Sequence, residues 1–244
     1  MERRINREID ELIDHIDSKQ GQPFDPSDLL SLCTLNVVTS FLFANRLKQT
    51  DPELRQLNEN IHQFIHSIRY FLTYCPLLRF LPPFRKAISN GFRQLREINQ
   101  FIGNGIRVSL EKEKTVTSYV ASFVAKEREM GIYDEEDLFF AGRDLMEAGS
   151  DTTATTILWS MELMANNPVI QKRLHEDIDA QLDRQQKPTS SDVSRLPYVE
   201  ATILEVLRLR TVVPLALPHK VVEDTTVAGY HVTKGTMVSI RYST

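Results

Sequence analysis

Cysteine is scarce in this sequence, and its scarcity excludes several kinds of protein. Among 244 residues there are two cysteines, Cys33 and Cys75, and they stand in unrelated contexts. Two isolated cysteines do not make a disulfide framework or a four-ligand zinc site of the cysteine-rich kind. The sequence also lacks an Asn-x-Ser/Thr acceptor, so nothing in it indicates a secreted or lumenal chain.

Long hydrophobic runs and an excess of basic residues are absent as well. Apolar runs such as VVTSFLF are far shorter than the ~20 residues that span a bilayer. The opening MERRINREIDELIDHID is charged and amphipathic, unlike a signal peptide. The formal net charge is −4, so the sequence predicts no surface for nucleic acid. A composition that is 41% hydrophobic and 25% charged is typical of a globular protein, so we expect any membrane association to come from outside these residues.

Helical periodicity dominates most of the chain. Asp-Pro pairs at Asp25–Pro26 and at Asp51–Pro52 predict helix starts, because aspartate is a favoured N-cap and proline is favoured at the first helical position. Further helices are predicted over about 84–129 with a break near KEKTVTS, over about 135–166, from Pro168 onward, and over LPYVEATILEVLRLR. The first helix carries an apolar stripe at helical spacing: Ile5, Ile9, Leu12, Ile13 and Ile16.

Two segments are predicted to be non-helical. The stretch QQKPTSSDVSR is typical of a surface loop. The stretch HKVVEDTTVAGYHVTKGTMVSI is rich in β-branched residues, with turn signals at Asp224, Gly229 and Gly235, so it predicts short strands. No repeat and no flexible linker divides the chain. The sequence therefore predicts a mainly α protein with a few short strands near its C-terminal end.

The stretch AGSDTTATT is unusual because it interrupts the long helical segment over about 135–166. In one interpretation the segment is two helices, with Gly149 as the residue after the first and Asp151 as the N-cap of the second. In the other, one helix continues, and Gly149 costs about 1 kcal/mol relative to alanine. The local sequence does not decide between the two interpretations.

A continuous helix would have a particular chemical character at this point. The Thr152 hydroxyl could donate to the carbonyl of Ala148, four residues earlier, which weakens and bends a helix. The small residues Ala148 and Gly149 would let a flat ligand approach the backbone, and Asp151 beside Thr152 would supply an acid and an alcohol. One helix face, which could line a pocket, is formed by Ala141, Leu145, Ala148 and Thr152.

The stretch EVLR places Glu205 and Arg208 three residues apart on an otherwise apolar helix. Alone, such a pair predicts only an exposed helical ion pair. Here it follows AGSDTT and precedes VVPLALPHKVVEDTTVAGYHVTKGT. In this order the pieces resemble the haem-thiolate monooxygenases of the cytochrome P450 family, in particular the animal microsomal branch. PFDPSDLLSLCTLNVVTSFLFANRL is similar to that branch too, so the resemblance covers essentially the whole chain.

The resemblance implies roles for the central helix. The helix would cross the distal face of haem b, with Ala148 and Gly149 giving oxygen and substrate room beside it. Thr152 would hydrogen-bond to dioxygen at the haem and help to deliver protons, and Asp151 would feed that relay. Ala141 and Leu145 would lie in the substrate pocket.

The resemblance also implies roles for later residues. Glu205 and Arg208 would form a structural ion pair on the proximal side of the haem. His219 matches a position that contacts a haem propionate, although an exposed histidine at the start of a strand would look the same in the sequence. Three residues after the Glu-x-x-Arg helix would face substrate: Val213, Leu215 and Ala216.

The sequence departs from the family pattern in one important respect. The family's iron ligand is a cysteine in a Phe-x-x-Gly-x-Arg-x-Cys-x-Gly loop, and no such loop occurs in these residues. Neither Cys33 nor Cys75 has glycine nearby, so we expect neither to be a ligand. The axial cysteine is expected beyond Thr244, and the membrane anchor and first helices before Met1. Residues 1–244 are thus interpreted as one partial cytochrome P450 domain, an internal portion of a longer enzyme.

The function that the resemblance implies is insertion of one atom of dioxygen into a small apolar substrate. Electrons would come from NADPH through NADPH-cytochrome P450 reductase, with cytochrome b5 as a second candidate partner. The parent protein would lie on the cytosolic face of the endoplasmic reticulum membrane. The alternative is a catalytically inactive helical protein that acts, if at all, through partner binding.

His62 and His66 are four residues apart on a predicted helix, as in some metal pairs. No glutamate or third ligand accompanies them, which favours a solvated helix face.

Overall fold

The computed structural model describes residues 1–65, 77, 80–112, 118–184 and 187–241. Most of these residues are helical, and the few short strands follow the last helix, so the predicted fold class is confirmed. The chain divides into two compact units, Met1–Leu158 and Trp159–Thr244. The α-helices are α1 (Glu2–Ser18), α2 (Ser27–Phe43), α3 (Pro52–Ile65), α4 (Pro82–Lys112), α5 (Tyr119–Met130), α6 (Glu135–Asn166), α7 (Pro168–Gln181) and α8 (Pro197–Leu209).

Both predicted Asp-Pro helix starts are present, one of them shifted by a residue. α3 begins at Pro52, and the Asp51 carboxylate accepts the backbone N–H of Glu53 at 2.9 Å. α2 begins at Ser27, one residue later than expected. The Asp25 carboxylate accepts the hydroxyl of Ser27 at 2.5 Å and its backbone N–H at 2.9 Å. These two bonds stabilise the ionised form and hold the pKa of Asp25 below its ordinary value.

The buried position of α1 is a glutamate. Glu8 is 1% exposed, whereas Ile9 and Ile13 of the apolar stripe are 40% and 49% exposed. The Glu8 carboxylate is satisfied by other elements, since it accepts from Asn36 Nδ2 at 3.0 Å and from Arg46 Nε at 2.5 Å. A buried acid is tolerated only when it is paired in this way.

The first unit has a continuous apolar core. α3 packs on α4, α1 packs on α2, and α5 contacts both α2 and α4. At the α2–α4 contact, Gly105 lies against the ring of Phe43, where an added Cβ would come within 2.8 Å of ring carbons. The fully buried members of this core include Leu35, Leu42, Leu54, Ile61, Ile98, Ile102, Val120, Leu138 and Met146.

In the second unit α7 packs against α8. The guanidinium of Arg173 lies 4.1 Å from the centre of the Tyr198 ring. The predicted surface loop before α8 is wrong in part, because residues Ser190–Arg195 form a 3-10 helix. Thr189 and Asp192 form a capping box there, in which each side chain accepts the other's backbone N–H. These reciprocal bonds stabilise a short helix in a segment whose composition resembles a loop.

In the described residues after α8, four short strands form two antiparallel pairs. β2 (Thr225–Val227) pairs with β3 (Tyr230–Val232), and β1 (His219–Lys220) pairs with β4 (Met237–Val238). The two-residue turn of the β2–β3 hairpin has positive φ at Ala228 and Gly229, the geometry that suits the strand twist. Gly235 also has positive φ, so both predicted glycine turns are confirmed.

The helices given above lie within residues 1–65, 80–112, 118–184 and 187–241. None of the helices in those ranges combines the length and the apolar character that crossing a bilayer requires.

Candidate functional site

Helix α6 runs without interruption from Glu135 to Asn166, through the AGSDTTATT stretch. The interpretation of this segment as two helices, with a cap at Asp151, is therefore wrong. The predicted bond from the Thr152 hydroxyl to the carbonyl of Ala148 is present at 2.7 Å. The same pattern recurs along the stretch: Ser150 to Met146 at 2.8 Å, Thr153 to Gly149 at 3.0 Å and Thr156 to Thr152 at 2.8 Å. Hydroxyls that could compete with helix formation are thus satisfied inside the helix.

The two sides of α6 differ in exposure. One side is buried and includes Leu138, Met146 and Ala154. On the other side Leu145 is 39% exposed and Ala148 is also exposed. The four residues predicted to line a pocket all belong to the more accessible side: Ala141, Leu145, Ala148 and Thr152. This side combines small and apolar side chains with one hydroxyl.

Gly149 has a neighbour that the sequence did not indicate. A Cβ built at this position would lie 3.3 Å from Cγ2 of Val38 in α2, closer than most real contacts. Glycine therefore lets α2 approach α6 at the point where the hydroxyl-rich stretch begins. Ala148, one residue earlier, is exposed.

Asp151 is turned toward α3 and is largely buried. Its side chain is 11% exposed, and Oδ1 lies 3.2 Å from Nδ1 of His62. The other ring nitrogen of His62, Nε2, lies 3.0 Å from the hydroxyl of Ser31 in α2. Three helices thus meet through a Ser31–His62–Asp151 chain of polar contacts.

Sequence reasoning missed the position of His62. The solvated-face interpretation is wrong for this residue, because both ring nitrogens contact side chains of other helices. His66, its partner in the metal-pair interpretation, lies outside the described residues. No local signal distinguishes such a histidine from an exposed one, since both contacts are distant in sequence.

In the second unit, Glu205 and Arg208 form a bidentate ion pair. Arg208 Nε lies 2.8 Å from Oε2 and Nη2 lies 2.6 Å from Oε1 of Glu205. Both side chains are 53% exposed. The hydrogen bonds from Arg208, more than its charge, hold the pKa of Glu205 below its ordinary value. The same hydrogen bonds, more than the charge of Glu205, hold the pKa of Arg208 above its own ordinary value. The pair is therefore formed, but water reaches it in this structure.

The segment after α8 carries the remaining predicted residues. Val213 and Leu215 are 40% and 55% exposed. Ala216 has φ of 51°, a left-handed conformation that a non-glycine residue rarely adopts, and its N–H donates to the carbonyl of Val213 at 3.1 Å. His219 is exposed at the start of β1, which pairs with β4.

Cys33 is the cysteine that the structure describes, and it is buried in α2. Burial, together with the nearby charges of Glu8 and Glu11, raises the pKa of its thiol to about 11. A thiolate, the form that ligates metals, is therefore disfavoured at this position. Within the ranges given above, no group of three or more His, Cys, Asp or Glu side chains is arranged to hold a metal ion. Cys75 lies outside the described residues.

A comparison with models of known protein families identifies the family of this chain. The model of the family "Cytochrome P450" matches residues 1–244, the full length of this sequence. The chain belongs to the cytochrome P450 family, whose members are haem-thiolate monooxygenases. The resemblance inferred from AGSDTT and EVLR is confirmed.

Individual relatives are animal members of this family. Cytochrome P450 2U1 of Mus musculus is 34% identical, with the alignment covering 91% of this chain and 44% of the relative. Cytochrome P450 2C44 of Mus musculus is 29% identical over 98% of this chain and 50% of the relative. Cytochrome P450 2J2 of Homo sapiens is 28% identical over 98% and 49%. The chain thus spans about half the length of the curated relatives it matches.

Proposed function

We propose that these 244 residues form part of one cytochrome P450 domain that inserts an atom of dioxygen into a small apolar organic substrate. The second oxygen atom leaves as water, with two electrons from NADPH and two protons completing the balance. The observation that carries this proposal is the accessible side of α6. There an apolar surface adjoins the Thr152 hydroxyl, and Asp151 directly precedes Thr152 in the chain but points to the buried side.

The residues present fit one face of a haem. Ala148 is exposed and Leu145 lies one turn away, so a flat apolar group can approach the backbone of α6. The described residues do not provide the thiolate ligand that the family uses, because Cys33 is buried and the pKa of its thiol is raised. When bound, haem supplies the place where dioxygen is activated. We assign its contacts to Ala148, Gly149, Thr152 and His219.

Within this proposal, proton delivery belongs to Asp151 and Thr152. A hydroxyl can accept a proton from one neighbouring group while it donates its own proton to another. A carboxylate can take up a proton from a neighbouring group and pass it on. Thr152 must release its bond to the Ala148 carbonyl when it donates elsewhere. The Glu205–Arg208 pair is proposed to be structural. Substrate would contact Ala141 and Leu145 of α6 and, from the second unit, Val213, Leu215 and Ala216.

The partners and location follow from the same family. We propose NADPH-cytochrome P450 reductase as the electron donor, cytochrome b5 as a second candidate, and the cytosolic face of the endoplasmic reticulum membrane as the location. The similarity to animal cytochromes P450 supports this assignment. The substrate is specified only as small and apolar, because the accessible side of α6 offers Ala141, Leu145 and Ala148.

The test uses a chimaeric protein in which these 244 residues replace the matching segment of Mus musculus cytochrome P450 2U1. With a reductase and an apolar substrate, Thr152→Ala is expected to keep haem binding and to lower the product formed per NADPH by about tenfold or more, with hydrogen peroxide released instead. The matched control is Thr153→Ala, which removes a hydroxyl that makes the same type of bond to Gly149. Equal coupling in the two variants would remove Thr152 from the relay.

A second test concerns the 244-residue chain alone. A thiolate-ligated haem gives a distinctive spectrum when it is reduced and bound to carbon monoxide. Because Cys33 is held as a thiol, the chain mixed with haem, dithionite and carbon monoxide is expected to lack the thiolate-type band. If the band is seen, Cys33→Ser and Cys75→Ser identify the sulfur responsible, and the expectation that neither cysteine is a ligand is wrong.

A further inference from the structure

Asp151 is held from the side opposite to the accessible face of α6. Its carboxylate is 11% exposed and meets the imidazole of His62, which α3 supplies. An ionised carboxylate can only accept hydrogen bonds, so in a hydrogen bond to Asp151 the Nδ1 atom at 3.2 Å is the one that would carry the proton. The contact therefore selects one form of the histidine ring.

The second contact of His62 reinforces that selection. When Nδ1 carries the proton, Nε2 of a neutral ring is an acceptor, and the Ser31 hydroxyl at 3.0 Å is a donor. Ser31 is 4% exposed, and a buried hydroxyl requires a partner. The hydroxyl, the ring and the carboxylate thus form a directional chain that ends on Asp151.

The His62 ring is partly exposed to water, unlike the other two members of the chain of contacts. The His62 side chain is 34% exposed, whereas Ser31 and Asp151 are buried. His62 is therefore the member of the chain that water reaches most easily.

We propose that His62 is the positioning residue of Asp151: it fixes the carboxylate and, with Ser31 holding the ring tautomer, controls how the acid serves Thr152. This inference rests on the proposed function, because it assigns a purpose to Asp151. It predicts that loss of His62 leaves the Asp151 carboxylate without the imidazole contact at 3.2 Å. The acid then occupies other positions, and protons reach Thr152 less reliably.

The first experiment needs neither haem nor turnover. The 15N signals of the His62 ring are recorded in the 244-residue chain at about pH 9, well above the ordinary histidine pKa of about 6.5. His62→Gln assigns the signals by their loss. We expect Nδ1 to carry the proton, and in Asp151→Asn we expect a shift toward the form with the proton on Nε2. A proton mainly on Nε2 in the unaltered chain would overturn the proposal.

The second experiment measures product per NADPH in the chimaeric protein. His62→Leu is expected to lose coupling, though less than Thr152→Ala does, and His62→Gln is expected to recover part of that loss because its amide still donates to Asp151. The matched control is His175→Gln, which changes an exposed histidine on α7. If His62→Leu folds poorly, two other variants are compared: His62→Gln alone, and His62→Gln combined with Ser31→Ala. The double variant is expected to lose more coupling than His62→Gln alone.

The outcomes separate this inference from the proposed function. Normal coupling in both His62 variants, with Thr152→Ala still impaired, would overturn the role of His62 and leave the role of Thr152 standing. Normal coupling in Thr152→Ala as well would remove Thr152 from the relay, whereas absence of any oxygenated product from the unaltered chimaeric protein would overturn the proposed function itself. Equal losses in His62→Leu and His62→Gln would overturn positioning by hydrogen bonding, because the amide would then restore nothing.

Discussion

The two units of this chain are stabilised in different ways. In Met1–Leu158 the helices share a core of fully buried residues such as Leu35, Leu54 and Ile98. In the described part of Trp159–Thr244, the buried apolar side chains are Leu182, Leu196 and Val206. Because apolar burial is the main favourable term in folding, the first unit depends on packing between helices. The second buries fewer apolar side chains, and its helices α7 and α8 pack on each other.

The polar contacts show the same contrast. In the first unit Glu8 accepts from Asn36 and Arg46, and His62 contacts Asp151, so these bonds join distant segments. In the second unit the Glu205–Arg208 pair and the Thr189–Asp192 capping box each span three residues. Distant buried bonds fix the arrangement of helices, whereas local exposed bonds fix only the ends and surfaces of single elements.

The sharpest test of the contrast compares two leucines. Leu54→Ala removes a side chain that is fully buried in the first unit and is expected to lower the free energy of unfolding by about 2–5 kcal/mol. Leu204 on α8 is 61% exposed, so Leu204→Ala is expected to change the free energy of unfolding by about 0.5 kcal/mol or less. Urea unfolding followed by circular dichroism measures both. Equal losses would mean that Leu204 is packed as fully as Leu54, contrary to its exposure and to the contrast between the units.

The next comparison replaces one glutamate in each unit. Glu8→Gln removes a buried charge that holds Arg46 and Asn36, and the free energy of unfolding is expected to fall by about 1.5–3 kcal/mol. Glu205→Gln removes an exposed pair, and a smaller loss is expected because water solvates both partners. The same urea titration applies. A larger loss from Glu205→Gln would show that this pair is essential to the second unit despite its exposure.

Two glycines of α4 test how densely the first unit is packed. Gly105→Ala places a Cβ 2.8 Å from the ring of Phe43, so a loss of about 1–3 kcal/mol in unfolding free energy is expected. Gly103→Ala meets nothing within 4 Å, and a gain of about 0.5–1 kcal/mol is expected from helix propensity. Opposite shifts in thermal midpoint would support the contrast, and a gain in both variants would contradict the close α2–α4 contact.

The smallest effect at neutral pH concerns Cys33. Burial raises the pKa of its thiol from 9.0 to about 11, so the folded state holds this proton more tightly than the unfolded state. The associated stability is present below pH 9.0 and is lost as pH rises toward about 11. In a Cys75→Ser background, alkylation of the native chain is expected to stay slow until that range, while the urea-unfolded chain reacts readily. Rapid native alkylation near neutral pH would contradict a buried thiol.

Local signals in the sequence determined most of the elements. Asp51 with Pro52 marked the start of α3, and the glycines at 229 and 235 marked turns that the strands require. The Thr152 bond to Ala148 was also predictable, because it joins residues one helical turn apart. The motifs around Asp151 and Glu205 identified the family, since their order and spacing are read directly from the chain. Each of these local signals, and each motif taken by itself, lies within a few residues of the chain.

Tertiary structure decided which of those residues are covered and what they touch. The apolar stripe of α1 did not reveal that Glu8 is buried while Ile9 and Ile13 are exposed, because that depends on Arg46 and Asn36. Nor did the motif around Asp151 indicate that His62 holds its carboxylate. Burial and hydrogen bonding between helices depend on how those helices pack, and residues far apart in sequence meet only after the chain has folded.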